Sequence, residues 1–126
     1  MKVLILIAMI FCHIIDDYTL QGILASMKQK QWWNDNAPDE LYKYDYIVAL
    51  IMHSFSWSFM IMIAPTIYYL INNSYNNDII ILFILNTITH AIIDDLKANK
   101  KKINLIDDQI VHIAQIVCTW IAMILI

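Results

Sequence analysis

At 126 residues the chain has the length of one domain, yet with 60% hydrophobic and 15% charged residues it is too apolar for an ordinary soluble domain of that size. A formal charge of −3, with the lysines in short clusters between apolar runs, argues against a basic nucleic-acid-binding face, and no nucleic-acid partner is expected. The two cysteines, Cys12 and Cys118, both lie inside apolar runs and read as small buried hydrophobes rather than as a disulfide framework or a thiolate metal motif.

In chain order, Met1-Lys2 and the apolar run that follows imitate a signal peptide. No small-x-small cleavage site follows, and His13, Asp16 and Asp17 come next, so the run reads as a retained first span over 3–25. The segment 26–44 is the long loop of the chain, and Trp32, Trp33, Tyr42 and Tyr44 within it suit an amphipathic piece at headgroup level, either a lid or an interfacial anchor. The second span covers 46–71 and contains Pro65, which should kink it. The third and fourth cover 79–98 and 105–126, each near the ~20 residues needed to cross hydrocarbon.

Only a helix satisfies its own backbone in lipid without partner strands, and these runs lack the alternation of a barrel. The expected fold is all-α, a single domain over 1–126 forming a four-helix transmembrane bundle of up-down-up-down topology. A soluble helical protein needs a charged outer face on each helix, and these runs have none. Lys28, Lys30 and Lys43 flank the first connection and Lys97, Lys100, Lys101 and Lys102 the third, while the second, 72–78, has none. By the positive-inside rule the first and third face the cytoplasm, which leaves both termini outside, with only Lys2 arguing otherwise. The absence of arginine and the abundance of Ile, Asn and Lys point to an AT-rich genome, such as that of a phage or a low-GC bacterium.

Ionisable groups cost about 2.5–3.5 kcal/mol each in hydrocarbon even on the lenient insertion scale, so they persist where they face a partner or a cavity. The first span holds His13, Asp16, Asp17 and Gln21, the second His53, the third Asn86, His90 and Asp94, and the fourth Asp108, His112, Gln115 and Thr119. His13-Asp17-Gln21, Asn86-His90-Asp94 and Asp108-His112 step by four, which stacks each set on one helix face. Counted from the lysine-rich end at ~1.5 Å per residue, all four histidines fall roughly 10–17 Å below the cytoplasmic edge. Asp17, Asp94 and Asp108 fall slightly nearer the mouth.

A single such histidine is more often a hydrogen-bonded packing residue. Four at one level with three carboxylates favour a metal site, because imidazole and carboxylate suit zinc, manganese or iron and the ion offsets their burial. His-x-x-x-Asp recurs at 13/17 and 90/94, each followed in the next helix by another histidine, so each hairpin supplies half a site for one or two divalent ions.

The pattern His13-x-x-x-Asp17-x-x-x-Gln21, His53, His90-x-x-x-Asp94-x-x-Lys97, Asp108-Gln109-x-x-His112 resembles an uncharacterised bacterial and phage membrane-protein family known as a domain of unknown function, over nearly the whole chain. It is more distantly similar to membrane-bound metal-dependent hydrolases. The resemblance implies metal ligands drawn from His13, Asp17, His53, His90, Asp94, Asp108 and His112. It implies supporting or catalytic roles for Asp16, Lys97 and Gln109, with a carboxylate as general base and Lys97 offsetting developing charge.

The leading expectation is a multi-pass hydrolase of a bacterial inner membrane, acting on a lipid or a small cytoplasmic phosphoester and capable of homo-oligomerising. One rival is an ion or proton transporter, which needs polar groups across the full thickness, whereas the outer halves of the first and fourth spans are almost wholly apolar. The other is a phage membrane effector, holin-like or for superinfection exclusion, which has no need of four histidines at one level.

Overall fold

The computed structural model describes residues 1–72 and 77–125, with side chains as far as Met123. Most of the lysine-free connection and Ile126, the end of the fourth span, lie outside the described residues. Every regular element among the described residues is helical: α1 (Lys2–Ile15), a π turn (Asp16–Leu20), α2 (Gly22–Met27), α3 (Lys30–Asn36), a 3-10 turn (Glu40–Tyr42), α4 (Asp45–Ile71), α5 (Asp78–Ala98) and α6 (Leu105–Leu125). Four stretches, Lys2–Leu20, Glu40–Ile71, Asp78–Ala98 and Leu105–Met123, are long and apolar enough to cross a membrane.

The long helices form a ring in which α1 and α5 each pack against both α4 and α6. Trp120, near the end of α6, donates its indole N–H to the Lys2 carbonyl at the start of α1 (3.0 Å), so these neighbours run antiparallel. The Tyr69 hydroxyl, near the end of α4, donates to the Met123 carbonyl near the end of α6, so this diagonal pair runs parallel.

The side chains are distributed inside out relative to a water-soluble bundle. Leu4, Ile7 and Phe11 of α1, Ile51, Phe55 and Phe59 of α4, Ile81, Ile84 and Ile88 of α5, and Ile106 and Ile110 of α6 all face outward. His13, Asp16, His53, His90, Asp94, Asp108 and His112 are buried between the helices. Water drives the opposite arrangement, whereas an apolar solvent imposes no cost on outward Ile and Phe and a high one on outward Asp. Beyond the polar layer, Met9, Trp57, Ile61, Met62, Tyr69, Ile79, Ile116 and Met123 form a continuous apolar core. Of the two cysteines expected to be buried, Cys12 is half-buried and Cys118 is exposed, because its position on α6 falls on the outward face.

The first span is not the single helix its composition predicts. At Asp16 it widens into the π turn, with the Gln21 N–H donating to the Asp16 carbonyl (3.1 Å), five residues back. The extra residue rotates the chain, so Gln21 does not stack below Asp17 as a spacing of four requires. Its side chain lies against Asp16 instead. Gly22 follows with φ +42°, a left-handed conformation that only glycine adopts cheaply, and α2 leaves in a new direction. Pro65 is buried and α4 continues through it as one element.

Candidate metal centre

The ring places one histidine on each long helix: His13 on α1, His53 on α4, His90 on α5 and His112 on α6. Their imidazoles form a chain of contacts. The ring centroids of His53 and His90 are 5.2 Å apart, those of His90 and His112 are 4.2 Å apart and stacked, and those of His112 and His13 are 5.9 Å apart. Trp57 stacks on His90 at 4.1 Å and closes the apolar side of the layer.

Two sets of side chains bring ligand-type atoms within 4.8 Å of one another: Asp17, His53 and His90, and His90, Asp94 and His112. Asp94 lies between the two lobes. Its Oδ2 is 2.7 Å from His53 Nε2 and 3.5 Å from His90 Nε2, while its Oδ1 is 3.5 Å from His112 Nε2. Asp17 Oδ1 is 3.7 Å from His53 Nε2, and Asp108 Oδ1 is 3.3 Å from His112 Nε2.

These separations are short, yet His112 Nε2, Asp108 Oδ1 and Asp17 Oδ1 are buried without a hydrogen bond. Buried polar atoms almost always find a partner, because leaving one unpaired costs about 1–3 kcal/mol. Asp17 Oδ1 and His112 Nε2 belong one to each set, Asp108 Oδ1 lies outside both beside His112, and unpaired acceptors of this kind are what a cation satisfies. The donor set of imidazole nitrogens and carboxylate oxygens fits a divalent ion of the zinc, manganese or iron type.

His13 stands apart from both sets. The Trp57 indole N–H donates to its Nδ1 (2.7 Å), which assigns the ring proton to Nε2, and Nε2 donates to Gln109 Oε1 (3.1 Å). Both ring nitrogens are thus engaged by protein groups. Gln109 in turn donates from Nε2 to Asp108 Oδ2 (3.1 Å), which also accepts from Lys97 (2.5 Å). Asp108 is held by two donors on one oxygen while its other faces His112.

Asp16 is also outside the ligand sets. It is fully buried, with one oxygen accepting from Gln21 and the other from Ser56 Oγ (3.0 Å), and Gln21 donates as well to the His53 carbonyl (3.2 Å). The π turn therefore fastens α1 to α4 beside His53.

Lys28 is the residue that sequence reasoning missed. Counted there as a flanking cytoplasmic lysine, it is 7% exposed. Its ammonium donates to Asp94 Oδ2 (2.5 Å) and to His53 Nε2 (2.8 Å). It is the resident cation of one lobe. Asn99, just past α5, fixes it there: Asn99 Nδ2 donates to the Lys28 carbonyl (3.1 Å) and Asn99 Oδ1 accepts from the Lys30 N–H (2.8 Å). The only sequence signal was the length of a lysine stem on a segment that turns back toward the bundle.

The layer opens toward the lysine-rich end through a pocket of about 450 Å³ whose lining includes Asp17, Lys28, Gln29, Lys97, Lys101 and Gln109. In the other direction Gln115 donates to Asn86 Oδ1 (2.8 Å) and Asn86 donates to Thr119 (3.0 Å), after which the apolar core begins. The aromatic loop residues pack on one another. Trp33 donates to the Met27 carbonyl (2.6 Å) and stacks on Tyr42, with ring centroids 6.3 Å apart.

Neither the curated proteins nor the solved structures contain a match to this chain. The model of the family described as "Protein of unknown function (DUF3307)" matches residues 5–126, a range that holds every histidine and aspartate of the centre, and the chain belongs to that family.

Proposed function

We propose that the chain is a multi-pass protein of a bacterial cytoplasmic membrane, with both ends on the outer side, and that it is a metal-dependent hydrolase of a lipid or a cytoplasmic phosphoester. The observation that carries this reading is that Asp17 Oδ1 and His112 Nε2, each in a set of ligand-type atoms that includes His90, are buried without a hydrogen bond, as is Asp108 Oδ1 beside His112. Outward Ile and Phe on all four long helices support the membrane setting. Zinc is the ion the donor set suits best, with manganese or iron as alternatives, and Asp94, with one oxygen toward each lobe, suits a pair of ions.

A divalent ion in this position supplies Lewis-acid chemistry to an ester oxygen. The chain's own residues supply the rest. Lys97 and Gln109 hold Asp108 through one oxygen so that its other stays aimed at His112. Trp57 and Gln109 together fix the orientation of His13. Asp17, at the boundary between cluster and pocket, is the carboxylate placed to take a proton from water as general base. In phosphoester cleavage the water oxygen bonds to phosphorus and the bond to the alcohol oxygen breaks with its electron pair on that oxygen. One water proton reaches the departing alcohol and the other remains on the phosphate.

A transporter reading draws support from the Asn86–Gln115–Thr119 layer, which carries polarity past the histidines. Conduction needs that polarity to continue, and Met9, Ile61, Ile116 and Met123 interrupt it. The deciding experiment is metal analysis of protein purified without chelator, wild type against His90→Ala. Bound zinc, manganese or iron that disappears in the variant is the expected result. No transition metal in the wild type overturns the reading.

A further inference from the structure

The polar mouth is not isolated on the surface. It shares Tyr18, Leu105 and Gln109 with an apolar groove of about 600 Å³ that starts at Tyr18 of the π turn and runs along α6 past Ile106, Ile110, Ile113 and Ala114. Ile106 and Ile110 are 69% and 62% exposed, so the groove is open along its length to whatever surrounds the bundle. A second apolar groove of about 350 Å³ lies between α4 and α5, lined by Phe59, Ile67, Ile80 and Phe83, and no ionisable side chain borders it. What sets the α6 groove apart is its junction with the site through Gln109, which touches both His13 and Asp108.

The charge at the junction has a sign. Lys28, Lys97 and Lys101 line the mouth against the single carboxylate of Asp17. Lys28 and Lys97 are paired with Asp94 and Asp108, whereas Lys101 has no ion-pair partner among the described residues. Lys101 also holds φ +51°, inside the turn that the Lys102 N–H closes on the Leu96 carbonyl (2.8 Å). That position at a helix end favours glycine, and a lysine there keeps an ammonium at the mouth at the expense of backbone strain.

We propose that this compound site takes a phosphorylated amphiphile from the surrounding bilayer, with its phosphate between Lys97 and Lys101 and one acyl chain along Ile106, Ile110 and Ile113. The proposal rests on the hydrolase reading and narrows its substrate to a lipid phosphate. A headgroup of charge near −2 matches two ammoniums, one of them otherwise unpaired. The chain stays in apolar surroundings throughout, so reaching the centre needs no extraction into water, and the headgroup arrives beside Asp17, which lines the mouth.

The test uses full-length protein in phosphatidylcholine nanodiscs containing phosphatidic acid with a photoreactive diazirine in its acyl chain. Labelling should concentrate on 106–114, fall with excess unlabelled phosphatidic acid, and persist in excess glycerol 3-phosphate. Lys101→Ala should weaken competition by phosphatidic acid about tenfold, the loss of one charged hydrogen bond. Ile110→Trp, which fills the groove, should abolish labelling while metal content stays at the wild-type level. Labelling spread equally over the α4–α5 groove, or unchanged in Lys101→Ala, overturns the proposal. Metal-loaded protein that cleaves soluble phosphoesters without selective labelling overturns it and leaves the hydrolase reading standing. Selective labelling of protein that holds no metal does the reverse.

Discussion

Asn99 grips the backbone just after the Lys28 side chain, accepting from the Lys30 N–H and donating to the Lys28 carbonyl, and this clamp holds the ammonium toward Asp94 and His53. The contact joins the segment after α2 to the end of α5, so the position of a buried cation depends on a partly exposed amide. Asn99→Ala should lower stability by about 1–2 kcal/mol, since it removes these two hydrogen bonds and a third to Asp95 at a half-buried site. Lys28 should then react with an amine-selective acylating reagent much faster than in the wild type. Equal reactivity of Lys28 in the two proteins would show that the clamp does not position it.

Lys28 and a metal ion compete for His53 and Asp94, since the ammonium lies within hydrogen-bonding distance of both. Lys28→Met, close in length and uncharged, should therefore bind zinc at least tenfold more tightly in a chelator-competition titration. The metal-free variant should be less stable by about 3–5 kcal/mol, the cost of leaving a buried carboxylate without its partner. Unchanged zinc affinity would place the ion away from this lobe.

His13 and His112 should part company in metal analysis. The nitrogens of His13 are engaged by Trp57 and Gln109, whereas His112 Nε2 is unbonded and faces two carboxylates. His112→Ala should strip metal from the protein. His13→Gln should retain it, with a modest fall in affinity from the loosened Gln109. Metal loss of the same size in both variants would contradict the assignment of the His13 proton.

Gly22 offers a test free of the site's charges. A Cβ built there meets nothing within 4 Å, so the cost of Gly22→Ala is backbone strain alone, roughly 1–2 kcal/mol. Gly22→Asn should cost less than Gly22→Ala, because asparagine tolerates the left-handed region better. A thermal-shift series in detergent reads both. Alanine at no cost would mean that the turn after Asp16 relaxes to a regular helix.

Hydropathy made the four long helices legible, because each run of Ile, Leu and Met is long and apolar enough to cross a membrane and nothing else in the chain competes with it. The fours spacing made visible the pairs His90–Asp94 and His112–Asp108, which lie at 3.5 and 3.3 Å on their own helices. The same spacing misled at Gln21, because a period of 3.6 presumes an unbroken helix and the chain inserts a residue at Asp16. Lys28 was illegible for a different reason. Rules for lysine placement treat the charge as bound for water, and here Asp94 and His53 inside the bundle outweigh that preference. The engagement of His13 by Trp57 depends on the contact of α1 with α4, which no local pattern encodes.

The apolar layer of Met9, Ile61, Ile116 and Met123 has an electrical consequence in the proposed setting. A transmembrane voltage falls mainly across the part of the structure that water does not enter. With the pocket wetting the lysine-rich end, that part is the layer beyond the histidines. A full elementary charge crossing the whole drop is worth about 2.3 kcal/mol per 100 mV, but charges that move between Lys101 and Asp94 cross little of it. Chemistry at this centre should proceed at the same rate in energised and de-energised membranes, with the cell's potential shielded from the bond that breaks.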